Sequence, residues 1–580
     1  MKYKLLAASI LATMSTSALS ATYQLTELST LDGAKHNYVK DVSESGHILG
    51  LANGIYNLPI DVSYIDFTDS LIERAYDQQE DYFELIDKQI TFTLDDIENN
   101  NAAATNPDAH SFMLSFLTAQ ATNPEYQKLA NIVGYNVLNG EAHEQVLFDI
   151  ASVDYDGLTR SVSNFYNAVA EDGIAVGWGS APYDKTVFTP DGETEEETRF
   201  VRDFISRGII VSPDGLLSVP LVPEFDEYGG ISIASDIVKT NSGYTVVGQV
   251  STGIPADRQE NIDDNCDGED QPISVCIEGL QRSTSSRLFD TRAVKWSLDS
   301  NLNITNTEIL GLGLTPEDDD DFAFTSNALA VNSNGIVAGA SDIRDNNSSS
   351  LIRTLPVYYK DGKVVEMLNQ EDDWTGGKAL AINENDVIVG YGIRAIEGAN
   401  RLKFFYHDIA SNSTVFPTDF FNSSASIAND INDNGYIVGE GETDVFNVGS
   451  RRREGFLYQI GEDSITNVND LLPCYEADGE TRYKYVVSEA KVINNNNEIF
   501  GVATKTVEKT DSLGGVVRDI NGEIEYESIA VPVKLTPIDG EVERCTDPET
   551  DTYERQSASF PWYTLLLLPL LGLRRAFRNK

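Results

Sequence analysis

Positive charge is scarce in this 580-residue sequence: 42 Lys and Arg stand against 92 Asp and Glu, a formal charge of -50. A field of that sign excludes nucleic acid and anionic lipid as partners, because phosphate attraction needs the opposite potential. Such acidity otherwise keeps a protein soluble. Trp and Met number four each, and there are five histidines, His36, His47, His110, His143 and His407. No two of these histidines have metal-ligand spacing, and no Gly-x-Ser-x-Gly elbow, phosphate loop or Cys-His arrangement can be read. The motifs of the common hydrolases and metalloenzymes are therefore absent. Long apolar runs are missing from the body of the chain and occur only at its ends.

Both ends read as addresses. Lys2 and Lys4, the apolar run Leu5 to Leu11 and the small residues closing at Ser20 make 1–20 a secretory signal, with Ala21 as the new N-terminus. At the far end a linker, 546–559, leads into Phe560 to Leu573 and then Arg574 and Arg575. An ideal helix over that run spans about 21 Å against a hydrocarbon core of ~30 Å, and Pro569 interrupts it. Small residues, a short apolar helix and an Arg cluster resemble the GlyGly-CTERM sorting tails, with Ser557 to Ser559 in place of paired glycines. The resemblance implies that 560–580 is trimmed by an intramembrane protease during export; a simple transmembrane anchor is the alternative. Four cysteines in an exported chain suggest two disulfides, and local pairing joins Cys266 to Cys276 and Cys474 to Cys545.

What the chain has in quantity is a repeat. Seven copies close on Gly50, Gly177, Gly248, Gly339, Gly390, Gly439 and Gly501, and the clearest runs Ala428 to Gly439 through Ile431-Asn432-Asp433-Asn434-Gly435. An apolar stretch, Asn-rich punctuation and a β-branched stretch describe a β-hairpin. The turn position is Gly46, Gly173, Gly243, Gly335, Asp386, Gly435 and Asn497 in order. Gly, Asn and Asp are the residues that tolerate a left-handed backbone, so positive φ is expected there. Three residues earlier stand Ser43, Ala170, Thr240, Asn332, Asn383, Asn432 and Asn494, mostly side chains able to bond the turn's own backbone.

A second strand pair follows each hairpin, as in Arg353 to Tyr359, Lys360-Asp361-Gly362 and Val364 to Leu368. Four short strands per unit is the composition of a propeller blade. The glycines from Gly339 to Gly390 and on to Gly439 are 51 and 49 residues apart, close to the ~40 to 50 residues of such a blade. The motifs resemble the extracellular HAF-type repeats, with Tyr23 to Leu28 and Leu31-Asp32-Gly33 opening the mature chain in that manner. With the tail, the chain resembles a family of secreted proteins of unknown function from marine gammaproteobacteria. Seven such four-stranded units predict an all-β, seven-bladed β-propeller over 21–545, and the resemblance brings no catalytic residues. An early strand, Tyr23 to Leu28, could pair with a late one such as Ile529 to Leu535 and join the chain's ends in one blade.

Two segments depart from the repeat. Asp66 to Ile97 and His110 to Leu129 carry apolar residues at helical spacing, predicting a helical insertion of the first blade at about 62–150. A polar insertion at about 252–291 holds Asp263, Asp264, Asn265, Cys266, Asp267, Gly268 and Asp270. Hard oxygens around a Gly suit calcium, and the segment resembles the loops of thrombospondin type 3-like modules. A solvated acidic loop pinned by Cys266 and Cys276 is the other reading. The expected function is a noncatalytic exported scaffold whose loops bind a protein or a glycan. A carbohydrate-active enzyme with carboxylates at the propeller mouth and an envelope component held by its tail are the alternatives. Export and tail processing imply transient contact with that machinery.

Overall fold

In the computed structural model, residues 22–541 are described, except 283–286, 318–319, 321, 347, 446–450, 478–479, 483 and 520. The expected hairpins fold into seven four-stranded antiparallel sheets, the blades of a β-propeller. Blade 1 comprises Ala34–Val42, Ile48–Ile55, Ile132–Leu138 and Glu141–Glu144. The inner strands of blades 2 to 7 are Asn164–Val169, Ser232–Thr240, Ser326–Val331, Gly376–Ile382, Ser426–Ile431 and Val486–Ile493. The outermost strand of blade 7 comes from the start of the chain: Tyr23–Glu27 pairs antiparallel with Tyr526–Pro537, Leu25 opposite Leu535. Main-chain hydrogen bonds thus close the ring.

A lone blade leaves both of its apolar faces in water, and stacking around an axis covers them. Each blade interface accordingly has its own core. Leu49, Tyr166, Val169 and Ile209 join blades 1 and 2; Val39, Val42, Val492, Phe500 and Val502 join blades 7 and 1.

Every inner strand carries a bulge, which leaves Lys40, Asn167, Ser235, Leu329, Leu380, Asn429 and Lys491 without a pairing partner. Beside each bulge the facing strand supplies the closing glycine of the repeat. A Cβ on Gly439 would strike the carbonyl oxygen of Ile427, and Gly177, Gly248, Gly339, Gly390 and Gly501 meet the equivalent carbonyls. None of these six has a positive φ, so close approach of two backbones, rather than conformation, demands glycine.

Three consecutive blades carry insertions, each between the second and third strands. In blade 1, residues 56–131 form the helices Ser70–Leu85, Leu94–Asn100, Ala102–Thr105 and Pro107–Ala119. Asp69 caps the first, Thr93 and Asp96 form a capping box on the second, and Asn106 accepts from Asp108 and Ala109 N–H on the last. Ile72, Phe92, Ile97, Phe112, Met113 and Phe116 give this insertion its own core. The insertion is shorter than the expected span to 150, because Ile132–Leu138 and Glu141–Glu144 return to the blade with no glycine signature to mark them.

Blade 2 inserts the hairpin Asp184–Phe188 and Glu197–Val201. The segment read as a polar loop in blade 3 is a helical hairpin, Ala256–Asn265 and Ile273–Arg282, bridged by the Cys266–Cys276 disulfide with 5.6 Å between the Cα atoms. Cys474 is also disulfide-bonded; its expected partner Cys545, the signal 1–20 and the tail 560–580 lie outside the described residues. Among the described residues no helix is long and apolar enough to cross a membrane.

Candidate functional site

The bulge residues converge on the propeller axis, where a cavity of about 420 Å³ is lined by Lys40, Asn167, Ser235, Leu329, Leu380, Asn429 and Lys491. Next to three of them stand Asp41, Asp236 and Asp430, in blades 1, 3 and 6. Each carboxylate bonds a backbone N–H of the following blade: Asp41 with Val169, Asp236 with Val331 and Asp430 with Ile493, all at 2.8 Å. The second oxygens of Asp236 and Asp430 accept from Ile237 at 2.7 Å and Ile431 at 2.8 Å. These side chains are half-open to the channel yet ringed by protein. Burial therefore pushes Asp41 up to about 6 and Asp236 and Asp430 up to about 7, against the backbone bonds that favour the charged form. Loss of hydration and the neighbouring charge of Lys491 pull Lys40 down to about 8.

A second site lies off the axis, where the insertions fuse into a cap. Phe200 N–H of the blade 2 insertion donates to Pro124 O at 2.7 Å, and Tyr64 and Phe200 pack with ring centroids 5.1 Å apart. Arg202 and Tyr183 reach Glu278 of the blade 3 helical hairpin at 2.8 and 2.7 Å. Blade 7 joins through His110 Nδ1, 2.8 Å from Ser512 Oγ, and Asn57 N–H, 3.0 Å from Ser512 O. The cap therefore runs over blades 7, 1, 2 and 3.

Within the cap a groove of about 280 Å³ is lined by Tyr64, Tyr155, Tyr183 and Phe200 with Asp61, Gln127, Asp154, Thr159 and Lys185. Lys185 Nζ sits 4.5 Å over the Tyr64 ring and pairs with Asp61 at 2.6 Å and Asp154 at 2.8 Å. The Tyr64 hydroxyl is buried with no hydrogen-bond partner among the described residues, and Val153, 96% exposed, stands on the rim. Sequence spacing could not disclose this groove, since its walls come from separate stretches around 61–64, 127, 154–159, 183–185 and 200.

The repeat-turn positions lie at the hairpin ends. φ is 90° at Gly46, 84° at Gly173, 146° at Gly243, 78° at Gly335, 61° at Asp386, 78° at Gly435 and 59° at Asn497. Gly243 differs in place: it pairs with Thr240 and Asp299 as the first residue of its strand, and the turn falls on Asn241 and Ser242. The acidic cluster at 263–270 is spread along a helix and its exit. Asp263, Asp264 and Asn265 end the first helix of the blade 3 hairpin, Asn265 Nδ2 bonds Asn261 O at 2.9 Å, and Asp267 accepts from Glu269 N–H at 2.9 Å. Among the described residues no three His, Cys, Asp or Glu side chains converge as a metal site.

No curated protein matches the chain in sequence. Among solved structures, it is similar to the β-propeller domain of the Trilobed protease from Pyrococcus furiosus, at 10% identity and a TM-score of 0.31 over 73% of this chain and 89% of that one. It is also similar to the acylaminoacyl peptidase of Pyrococcus horikoshii, at 12% identity and a TM-score of 0.32, over 72% of this chain and 47% of that one. Residues 1–576 match the family described as a protein of unknown function, DUF3466, and the chain belongs to that family.

Proposed function

We propose that this protein is an exported, noncatalytic β-propeller that binds a glycan in the groove of its cap. The observation that carries the reading is the groove itself: three tyrosines and a phenylalanine beside paired carboxylates, an amide and the unbonded Tyr64 hydroxyl. Aromatic faces cover the apolar faces of sugar rings, and a few placed polar groups fix their hydroxyls. Support for the noncatalytic side comes from the channel, where Asp41, Asp236 and Asp430 hold backbone N–H groups of adjacent blades. Export is supported by the signal at 1–20, the sorting-tail resemblance at 560–580 and the Cys266–Cys276 disulfide.

The test is an oligosaccharide array probed with the labelled mature chain, alongside Tyr64→Ala and Tyr155→Ala variants. Selective binding that both variants lose supports the reading; binding to peptides only, or sugar binding indifferent to both substitutions, overturns it. Intact mass of extracellular material tests the processing route, which predicts a C-terminus near Ser557 to Ser559; a chain ending at Lys580 refutes it.

A further inference from the structure

The propeller axis offers a second site, independent of the cap. Its lining is one-sided. Lys491 and Lys40 project from the adjacent blades 7 and 1, while Leu329 and Leu380 occupy the same bulge position in blades 4 and 5. In a seven-membered ring, blades 4 and 5 lie directly across the axis from blade 1. Ala330, Ala381 and Ile382 extend the apolar wall, and Asn167 and Asn429 flank the cationic one.

The two lysines are not equivalent. Lys491 pairs with Glu489 at 3.1 Å. Among the described residues nothing bonds Lys40 Nζ. The carboxylates whose charge reaches it, Glu489 and Asp41, are engaged elsewhere, Glu489 also by Asn429 Nδ2 at 3.3 Å and Asp41 by Val169 N–H at 2.8 Å. An ammonium drawn out of bulk water without a counter-ion is costly, and an arriving anion removes that cost.

We propose that the channel binds a small organic monocarboxylate, its carboxylate on Lys40 and Lys491 and a compact apolar body against Leu329 and Leu380. The volume of about 420 Å³ falls within the ~300 to 1,000 Å³ of small-molecule pockets. A single negative charge suits the channel, because Asp41, Asp236 and Asp430 on its wall and Glu489 beside Lys491 would repel a dianion such as hydrogenphosphate. The same groups set the pH response. Lys40 must stay protonated, and protonation of Asp236 and Asp430 weakens the opposing field, so affinity rises as pH falls from about 8 to about 7.

Titration calorimetry of the mature chain with benzoate, hexanoate, benzamide and inorganic phosphate tests the assignment. The two carboxylates bind, benzamide and phosphate do not, and Lys40→Met weakens benzoate at least tenfold while the thermal melt does not fall. The double variant Leu329→Ser, Leu380→Ser serves if Lys40→Met misfolds: it removes the preference for benzoate over acetate. Equal binding of benzoate and benzamide, no binding of either carboxylate at millimolar concentration, or full benzoate affinity in either folded variant overturns the proposal. Because Tyr64→Ala leaves the channel intact, loss of sugar binding and loss of carboxylate binding report on separate sites.

Discussion

Asn432 Nδ2 donates to the carbonyl oxygen of Asn494 at 2.9 Å, across the boundary between blades 6 and 7. Its Oδ1 meanwhile accepts from the N–H groups of Asn434 at 3.1 Å and Tyr436 at 2.9 Å, within its own turn. One side chain therefore shapes a hairpin and joins it to the next. The arrangement repeats, with Asn332 bonding Asn383 O at 3.1 Å and Asn383 bonding Asn432 O at 3.0 Å. Asn432 also donates to Asn497 Oδ1 at 2.8 Å and is only 3% exposed. Removing it leaves buried carbonyl and amide groups unpaired, so Asn432→Ala should cost about 2 to 3 kcal/mol in urea denaturation. A cost below about 0.5 kcal/mol would mean that the ladder between blades carries no stability.

The two glycines of this repeat should respond differently. Gly435 has φ 78° and free space: a Cβ added there would come no closer than 3.8 Å to the nearest side chain, Ile460. Gly435→Ala is therefore a matter of backbone conformation alone, about 1 kcal/mol, and Gly435→Val costs more. At Gly439 the added methyl meets the Ile427 carbonyl, which cannot yield without breaking the bulge. Gly439→Ala should cost more than Gly435→Ala, by about 1 to 3 kcal/mol. Equal melting temperatures for the two alanine variants would refute this division of roles.

The channel carboxylates give stability a definite pH dependence. Asp41, Asp236 and Asp430 are held above the usual carboxylate range, mainly by burial. Through that interval the folded chain keeps protons that the unfolded chain has released, so these groups favour folding at low pH, and their contribution is lost as pH rises from about 4 to about 7. Melting temperature should fall across that window, and Asp430→Asn should make the fall shallower. An unaltered slope in the variant would assign the effect to the overall acidic charge instead.

Reduction should act locally. The Cys266–Cys276 bridge packs with Ile262, Ile277, Leu288 and Phe289 in a core of the blade 3 insertion. Under mild reductant, proteolysis should begin within 256–282 while the melt of the propeller is retained. Non-reducing peptide maps should recover Cys266 with Cys276 and Cys474 with Cys545. A crossed pair would contradict the placement of this insertion.

The hairpins, their number and their turn residues were legible because a turn is a local object: Gly435 and Asn432 act on backbone within a few residues of themselves. The propeller followed, since a four-stranded unit repeated seven times has few other ways to bury two apolar faces per sheet. Helical spacing likewise exposed the first insertion, although its end blurred where Ile132–Leu138 returned to the blade. The interblade half of the Asn side chains, the glycine beside each bulge and the closing pair of Tyr23–Glu27 with Tyr526–Pro537 depend on which segments meet. The tertiary structure alone decided that Lys40 faces Leu329 and Leu380 across one axis, and that Tyr64, Tyr155 and Phe200 share one groove. Residues so distant in sequence have no common period, and only the closed ring and the fused cap bring them within contact.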